Sequence, residues 1–364
     1  MRVLFYHAAP EWDGRARWFA AAARALVDRG YQVTYTCPPE SAAERRASYS
    51  GFEVIPLETG GSLVAEAYRL RHLLRERFVE VVCVHTEREQ LVASMATRLA
   101  ERGAVLRRTP AGGVLRVSQR VKLAGRLAAN GYVFTTQSDY TAAPSAPRSI
   151  GSSIVPIGVD TEVYDEIRPA PRSSLGAGGA TRLAVCLYDR GARERVGSVL
   201  RTVAMLAPRH PDLRLALLGA GSDHEDLRMH AAALGVTGIV SHLGERDDAL
   251  AVMRAADIGW IVAGEDDAVY GALDFMAMRI PVLGERGSVV QRYVADGITG
   301  ILLPPGDPPS SAAAMATFLA YEEQRSAMGN AGRVRVAREH ALGPMAEAMQ
   351  RAVESARDRS RWQV

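Results

Sequence analysis

The chain has 364 residues, of which 48% are hydrophobic and 23% charged, and its mean hydropathy is close to zero. This balance excludes a disordered chain, a collagen-like fibre and a coiled coil, and the length suffices for two hydrophobic cores. The formal net charge of +3 would favour nucleic acid, but Lys122 is the only lysine among 44 basic residues, a bias typical of a GC-rich genome, so we expect no nucleic-acid partner.

Two further patterns concern the compartment and the thiols. No apolar run approaches the roughly 18–20 residues that span a bilayer, and the first residues lack the apolar stretch and cleavage site of a signal peptide. We therefore expect a cytoplasmic protein. Cys37, Cys83 and Cys186 are far apart and lie in or beside apolar runs, so we expect buried free thiols, with neither a disulfide framework nor a metal site.

The first half alternates short apolar runs with segments of helical periodicity, the βαβ pattern of a parallel sheet covered on both faces. The predicted strands are Arg2–Tyr6, Gln32–Thr36, Glu53–Pro56, Val79–Val84 and a short run near Ala104–Arg107. The predicted helices are Ala16–Arg29, Leu63–Arg77 and Glu89–Arg102.

The second half restarts the same alternation after a shift in composition. Two stretches rich in Ala, Pro, Ser and Gly mark the change, Ala142–Ser153 and Ala170–Ala180. The predicted strands are Arg182–Leu187, Leu213–Leu218, Gly238–His242, Ile258–Val262 and Pro281–Leu283. The predicted helices are Val196–Leu206, Glu225–Ala233, Asp247–Ala255 and Gly271–Met278. The pattern predicts an α/β chain of two doubly wound domains joined by a flexible linker, with ligands bound in a cleft at the carboxyl ends of the strands.

Five stretches of the second half carry a specific family resemblance in both their order and their spacing. They are Arg209–Gly221, Leu243–Arg246, Met253–Asp257, Asp274–Gly284 and Asp296–Pro304. Together they resemble the nucleotide-sugar-binding domain of GT-B glycosyltransferases of the family 4 type, over about residues 182–340, and Pro156–Asp160 resembles the interdomain signature of that family. The resemblance implies two Rossmann-like domains facing each other across a cleft. Residues 1–160 would form the acceptor side, with a C-terminal helix at 343–364 packing back onto it, and residues 161–342 would bind the donor.

The activity implied by this resemblance is a retaining, metal-independent glycosyl transfer that needs no cofactor besides its nucleotide-sugar substrate. The acceptor would be a hydroxyl of a sugar, a lipid-linked molecule or a small molecule, and a donor phosphate oxygen would take its proton. We expect a UDP-sugar ahead of a GDP-sugar, and a role in surface-glycan, glycolipid or natural-product biosynthesis. The basic stretch Arg107–Arg126 would allow peripheral contact with the inner membrane face, although a solvated face explains it better in an arginine-rich chain.

Two arginines are the candidate catalytic cations. In the family an Arg and a Lys five residues apart, after the first strand of the second domain, contact the diphosphate. Arg190 and Arg195 have that spacing after the strand Arg182–Leu187, with a one-residue slip against the neighbouring motifs, and Arg193 competes for the second role. The alternative is a group of surface arginines without a function.

An acidic motif supplies the candidate contacts to the donor sugar and the ribose. The family has two glutamates eight positions apart, and Asp266 and Asp274 stand at those positions. The resemblance assigns Asp274 to the ribose hydroxyls and Asp266, a candidate catalytic residue with Glu265 as its substitute, to the donor sugar. The predicted donor site is completed by Asp267, Tyr270, Gly271 and Ala272. Aspartate is shorter than glutamate by one methylene group, and Asp267-Ala-Val269 replaces an expected Gly-Phe-Gly, so an acidic loop that caps a helix beginning near Gly271 is the alternative.

Three further loops contain candidate residues. Gly14 precedes a helix and could present its amide to the diphosphate, although a turn explains a lone glycine nearly as well. His85, at the end of a buried strand, is a candidate catalytic contact to acceptor or sugar, or a structural histidine. Gly244 and Arg246 resemble the loop that contacts the base. The histidine that the family often has near Thr109–Gly113 is absent, and Arg107, Arg108 and Thr109 are the substitutes considered.

The altered acidic motif and the missing histidine leave a second hypothesis, a non-catalytic GT-B homologue that binds a nucleotide or a protein partner. A nucleotide-sugar epimerase on the same fold ranks third, because it needs additional acid–base side chains that the sequence does not indicate. The oligomeric state is not predicted.

Overall fold

The computed structural model describes residues 1–144, 151–189 and 193–360 and divides the chain into two units. Unit 1 comprises Met1–Val159 together with His340–Val364, and unit 2 comprises Asp160–Glu339. Each unit is a parallel sheet with helices, which confirms the predicted α/β class with two Rossmann-like domains. Among the described residues, no helix has the length and apolarity needed to cross a bilayer.

The sheet of unit 1 has seven strands within the described residues, and all of its strand pairs are parallel. The strands are β1 (Arg2–Tyr6), β2 (Gln32–Cys37), β3 (Glu53–Pro56), β4 (Val81–Val84), β5 (Ala104–Arg108), β6 (Asn130–Phe134) and β7 (Ser152–Ile154). Their order is β3-β2-β1-β4-β5-β6-β7, so the strand order reverses between β1 and β4. At such a topological switch point a crevice opens at the carboxyl ends of the two strands.

The helices of unit 1, apart from the closing helix, begin at side chains that accept hydrogen bonds from amides of their first turn. They are α1 (Gly14–Val27), α2 (Ala42–Ala47), α3 (Leu63–Glu76), α4 (Glu87–Ala100), α5 (Gln119–Leu127), α6 (Gln137–Ala142) and the closing helix (Leu342–Asp358). Ser62 caps α3, and Thr86 forms a capping box with Glu89 at the start of α4. The closing helix packs against α1, and the Tyr31 hydroxyl donates to Glu354 Oε1 over 2.6 Å.

The sheet of unit 2 has six strands within the described residues, again all parallel. They are β8 (Arg182–Leu187), β9 (Leu213–Leu218), β10 (Val240–Gly244), β11 (Ile258–Ile261), β12 (Val282–Glu285) and β13 (Gly300–Leu303). The order β10-β9-β8-β11-β12-β13 places the switch point between β8 and β11. The helices are α7 (Val163–Glu166), α8 (Arg193–Leu206), α9 (Glu225–Ala233), α10 (Ala249–Arg254), α11 (Glu265–Ala277), α12 (Pro308–Ala320) and α13 (Glu322–Glu339).

Helix α11 is the central helix of unit 2, and almost all of its residues are buried. Gly271 allows it to approach the sheet closely, because a Cβ at this position would overlap the side chain of Leu187 on β8. Against α13, a Cβ on Gly332 would stand 3.0 Å from Met276 Cγ of α11. Close packing on both sides therefore fixes α11, whose first residue follows the end of β11 by only a short loop.

Several elements differ from the predicted ones, and the helices α2, α5, α6, α7, α12 and α13 lie where no helix is predicted. Helix α11 begins at Glu265, not near Gly271, because extended Gly264 ends the preceding loop and acidic residues favour the first turn of a helix. Helix α1 begins at Gly14, two residues before the predicted start, because Asp13 caps it. Strands β6, β7 and β13 lie where no strand is predicted, and β6 begins with Asn-Gly, which are poor strand formers.

The three cysteines are buried free thiols, as predicted. Burial raises the pKa of Cys37 to about 12 and raises the pKa of Cys83 and Cys186 further. A protonated thiol is a weak nucleophile and a poor metal ligand. Within the described ranges, no group of three or more His, Cys, Asp or Glu side chains could hold a metal ion.

Candidate functional site

The switch point of unit 2 lies at the carboxyl ends of β8 and β11. Asp189 follows β8, and its Oδ2 accepts a hydrogen bond from the backbone N–H of Gly264 over 2.5 Å. The N–H groups of Val262 and Ala263 both donate to the carbonyl oxygen of Leu187, over 3.0 and 3.1 Å. These bonds join the loop after β11 to the end of β8, so the amino end of α11 is held at the place where α/β sheets bind ligands.

Arg195 brings a guanidinium group to this switch point. It lies in the first turn of α8, and a Cβ built on Gly264 would stand 3.7 Å from its Nη2 and 3.5 Å from Asp189 Oδ2. Arg190, the other predicted cation, lies outside the described residues, and so does the side chain of Arg193. A guanidinium beside the amino end of a helix combines a full positive charge with the positive end of the helix dipole, an arrangement that favours anions.

Three acidic residues occupy the first turn of α11. Asp266 is 2% exposed, whereas Glu265 and Asp267 are exposed. Glu265 has a φ of +45°, a left-handed conformation that costs a residue other than glycine about 1–3 kcal/mol and is common at ligand sites. Acidic side chains here also stabilise the helix through its dipole. Contact of Glu265, Asp266 or Asp267 with a donor sugar stays a prediction.

Asp274, the predicted ribose contact, lies in the second half of α11 and is 1% exposed. Its Oδ1 accepts a hydrogen bond from the hydroxyl of Tyr164 over 2.5 Å. Tyr164 belongs to α7 at the beginning of unit 2 and is itself only 5% exposed. The carboxylate is therefore held by a buried tyrosine, and its contact with a ribose stays a prediction.

The other predicted donor contacts of α11 are packed inside the unit. Tyr270, Gly271 and Ala272 are all buried, and Gly271 faces the side chains of Leu187 and Ile261. Because the helix starts at Glu265, these three residues are not at its amino end, which belongs to the first turn instead.

The loop after β10, predicted to contact the base, is joined to the loop after β9. The Gly219 N–H donates to the Gly244 carbonyl over 2.9 Å, and the Gly244 N–H donates to Ser222 Oγ over 3.0 Å. Gly219 has a φ of +128° and Gly244 a φ of +67°, conformations that favour glycine. Both polar backbone groups of Gly244 are engaged within the protein, so its contact with a base stays a prediction.

Arg246, from the same loop, forms a two-pronged ion pair with Asp248. Its Nε and Nη2 lie 2.7 Å from Oδ1 and Oδ2 of that carboxylate. These hydrogen bonds raise the pKa of Arg246 and lower the pKa of Asp248. The pair is partly exposed, so its contribution to stability is about 0–1 kcal/mol, and its main effect is to fix the direction of the guanidinium.

The switch point of unit 1 holds two buried histidines, His7 after β1 and His85 after β4, with ring centroids 6.0 Å apart. His85 stacks on Phe19, and its Nε2 lies 3.0 Å from the carbonyl oxygen of Arg15, so Nε2 carries the proton. Burial first, and then the positive charge of Arg108, hold the pKa of His85 well below its usual range. The neutral, stacked ring fits the structural alternative, and a catalytic contact stays a prediction.

Glu89 organises the loops of this switch point. Its Oε1 accepts a hydrogen bond from the Ala8 N–H over 2.7 Å, and its Oε2 accepts from the N–H groups of His85 and Thr86 over 2.9 and 2.7 Å. One buried carboxylate therefore joins the loop after β1 to the loop after β4. Charge-assisted hydrogen bonds of this kind are among the stronger ones in proteins.

Gly14 is the first residue of α1, and Asp13 caps this helix. Asp13 Oδ1 accepts hydrogen bonds from the N–H groups of Arg15 and Ala16, both over 3.0 Å. A carboxylate therefore already occupies the amino end of α1, where the predicted diphosphate contact would lie. The role of Gly14 stays a prediction, with Asp13 as a competing anion.

The end of β5 carries the three residues considered in place of the absent family histidine. Arg107 Nε donates to the His85 carbonyl over 3.1 Å, and the Thr109 hydroxyl donates to a main-chain carbonyl of β6 over 3.1 Å. The guanidinium carbon of Arg108 lies 4.9 Å from the ring centroid of Trp18, and Arg108 is 1% exposed. Arg107 and Thr109 thus serve the internal hydrogen bonding of unit 1, and Arg108 stacks on an aromatic ring.

Sequence reasoning did not single out Asp189, Glu89 or Tyr164 for these sites. Asp189 had a usable signal, since a polar residue directly after a buried strand lies at the carboxyl edge of the sheet. Glu89 had one as well, since it stands three residues after Thr86 in the capping-box spacing. Tyr164 had none, because its partner Asp274 is 110 residues away along the chain.

Comparison with known proteins identifies a family domain within unit 2. Residues 180–335 match the family model described as glycosyl transferases group 1. A phosphatidyl-myo-inositol mannosyltransferase of Mycolicibacterium smegmatis is 26% identical over 84% of this chain and 80% of its own length. A GDP-mannose-dependent alpha-(1-6)-phosphatidylinositol monomannoside mannosyltransferase of the same organism is 27% identical over 89% of this chain and 90% of its own length. The crystal structure of Anabaena HepE with UDP and glucose has a TM-score of 0.80 over 98% of this chain and 100% of its own, at 17% identity, and shows a shared fold.

Proposed function

We propose that this chain, whose residues 180–335 match the model of glycosyl transferases group 1, is a glycosyltransferase with a GT-B fold that transfers a sugar from a nucleoside-diphosphate donor to a hydroxyl acceptor with retention of configuration. The transfer needs no metal ion or cofactor in this proposal. It would serve the synthesis of a glycolipid or a surface glycan.

The observation that carries this proposal is the Arg195 guanidinium beside the amino end of α11. When the bond between sugar and diphosphate breaks, negative charge develops on the departing phosphate, and a cation with a helix amino end stabilises that charge. Arg190 would hold the same phosphate. The departing phosphate oxygen would accept the proton of the attacking hydroxyl, so a separate protein base is not required.

For the donor we propose a GDP-sugar ahead of a UDP-sugar, which reverses the order expected from the sequence alone. The relative that matches 89% of this chain is named for GDP-mannose, whereas the likeness to the UDP-bound structure supports the fold alone. In this proposal Asp274 would accept hydrogen bonds from the ribose hydroxyls, and the loop bearing Gly244 and Arg246 would border the base.

For the acceptor we propose a lipid-linked hydroxyl that the enzyme meets at the cytoplasmic face of a membrane. Both mannosyltransferase relatives are named for phosphatidylinositol substrates. In unit 1, α5 and the loop before it expose the basic side chains of Arg116, Arg120 and Lys122 beside the apolar side chains of Val114 and Leu123. Such a mixture favours contact with anionic headgroups and the adjacent acyl region.

Arg195→Ala tests the catalytic proposal. Turnover is followed as nucleotide release from GDP-mannose and from UDP-glucose, in the presence of phosphatidylinositol vesicles. The variant should lose about 100-fold or more in kcat while the affinity for the intact sugar nucleotide changes less than about fivefold, because the additional charge on the phosphate develops only as the sugar departs. Arg201→Ala, an exposed arginine on the same helix, is the matched control and should keep wild-type turnover.

Three outcomes would each contradict a part of the proposal. If the wild-type protein binds a nucleotide but releases none from either donor with any hydroxyl acceptor offered, the non-catalytic homologue is the better account. If Arg195→Ala and Arg201→Ala lower turnover equally, the position of Arg195 beside α11 has no special role. Equal turnover with both donors would contradict the preference for GDP.

A further inference from the structure

Tyr164 and Asp274 form a buried hydrogen bond at the predicted ribose site. We propose that Tyr164 is an affinity-determining residue of this site, whose hydroxyl occupies the place of a ribose hydroxyl on Asp274 until the nucleotide displaces it. The inference rests on the proposed function, in which Asp274 accepts hydrogen bonds from the ribose. It goes further by assigning a competing role to a residue outside the motifs of the donor domain.

The burial of both partners supports a competition. Asp274 is 1% exposed and Tyr164 is 5% exposed, and the Tyr164 hydroxyl engages Asp274 Oδ1 in a 2.5 Å hydrogen bond. A phenol hydroxyl and a ribose hydroxyl are both neutral O–H donors, and a carboxylate oxygen accepts either with similar geometry. In this proposal a ribose hydroxyl takes the same position on Asp274 Oδ1, and the tyrosine hydroxyl has to leave it.

Further contacts fix the segment that carries Tyr164. Asp165, the next residue, accepts hydrogen bonds from Arg333 Nη2 over 2.6 Å and from Arg279 Nη1 over 3.4 Å. Arg333 Nη1 also donates to the Ala277 carbonyl at the end of α11, over 2.9 Å. The short helix α7 is thus tied to α11 in its middle, through Tyr164, and near its end, through Asp165. Release of the Tyr164 bond alone leaves α7 attached at Asp165.

If the Tyr164 hydroxyl competes with the ribose, its removal should strengthen nucleotide binding. A group of the protein that partly occupies a site weakens ligand binding. The apparent dissociation constant is the intrinsic one divided by the fraction of molecules in which the site is open. Tyr164→Phe removes the competing hydroxyl and keeps the ring, so the variant should bind GDP about three- to tenfold more tightly, the range that corresponds to one net hydrogen bond. A residue that positions Asp274, or merely supports the fold, would give weaker binding instead.

The ribose dependence makes the test specific. Dissociation constants are measured by calorimetry for GDP and 2′,3′-dideoxy-GDP, and for UDP and its dideoxy form, with the wild-type protein, Tyr164→Phe, Asp274→Asn and the double variant. The gain in Tyr164→Phe should be confined to nucleotides that carry ribose hydroxyls. In the Asp274→Asn background the effect of Tyr164→Phe should be smaller, because the amide oxygen that replaces the carboxylate oxygen is a weaker acceptor for both hydroxyls.

The controls separate the inference from folding effects and from the proposed function. Tyr293→Phe changes another buried tyrosine of unit 2 and should leave every dissociation constant unchanged, and thermal unfolding verifies that each variant is folded. Weaker or unchanged GDP binding by Tyr164→Phe, or an equal gain for dideoxy-GDP, would overturn the inference while the proposed function stands. If the wild-type protein binds none of the four nucleotides, the proposed function itself fails.

Discussion

At the scale of single residues, burial decides the charge of His85. The ring stacks on Phe19 and donates to a main-chain carbonyl, and the charge of Arg108 opposes a second proton. The folded protein therefore keeps this histidine neutral at a pH where an exposed histidine is already charged. The stability of unit 1 therefore depends on pH, whether or not the His85 ring has a catalytic role.

The sign of this pH dependence follows from proton uptake. In the unfolded chain His85 titrates near its usual pKa of about 6.5, so below that pH the unfolded state binds a proton that the folded state refuses. Stability therefore falls as the pH falls below about 6.5, with a slope approaching 1.4 kcal/mol per pH unit. In His85→Gln this contribution is absent. The difference in unfolding free energy between the wild-type protein and the variant should therefore shrink as the pH falls from 7.5 to 5.

Denaturant unfolding at several pH values measures this difference. His72→Gln is the matched control, because it makes the same substitution at a side chain that is 84% exposed. Parallel stability curves for the wild-type protein and His85→Gln would show that the folded protein does not hold this histidine neutral.

At the scale of elements, the loops after β8, β9 and β10 depend on one another through Gly219. Its φ of +128° disfavours other residues, and a Cβ would overlap the carbonyl oxygen of Tyr188. The same residue donates to the Gly244 carbonyl. The loop after β8 borders the switch point of unit 2, and the loops after β9 and β10 lie at the same edge of the sheet, so a distortion at Gly219 should reach the proposed donor site.

Gly219→Ala should therefore lower both stability and nucleotide affinity. The strained backbone and the overlap with Tyr188 should cost about 1–3 kcal/mol of unfolding free energy. Gly238→Ala is the matched control, since a Cβ there meets no atom within 4 Å and its φ is not positive. Denaturant midpoints and GDP binding are measured for both. Equal values for the two variants would contradict the close approach of Gly219 to Tyr188.

Local sequence patterns predict the bounds of some strands but not the start of α11. Strands β1, β3, β8 and β9 have the predicted bounds, because continuous apolar runs between turn residues leave little choice of strand ends. The predicted start of α11 near Gly271 is wrong, because the first turn of the helix is acidic and the apolar periodicity begins only after it. The contact of Tyr164 with Asp274 depends on tertiary packing across 110 residues, and no local pattern carries it.

At the scale of the whole molecule, the chain enters unit 2 after Val159 and returns to unit 1 at His340. The Val159 N–H donates to the His340 carbonyl over 2.8 Å, so the outgoing and returning segments are joined within unit 1. The closing helix then buries Met345, Met349 and Val353 completely. Unit 1 thus requires the last residues of the chain, whereas the sheet and helices of unit 2 are all contributed by one continuous segment.

Removal of residues 340–364 should consequently unfold unit 1 and spare unit 2. Each buried apolar side chain of the closing helix contributes about 1.5–3 kcal/mol, so the three together approach the total stability of a typical domain, about 5–15 kcal/mol. Hydrogen exchange is the measurement: amides of β1, β4 and β5 should lose protection by about 100-fold or more, while amides of β8, β9 and β11 keep theirs. A chain ending at Asp358 keeps the closing helix and should exchange like the wild-type protein. Loss of protection in both units at once would show that unit 2 is not stable independently of unit 1.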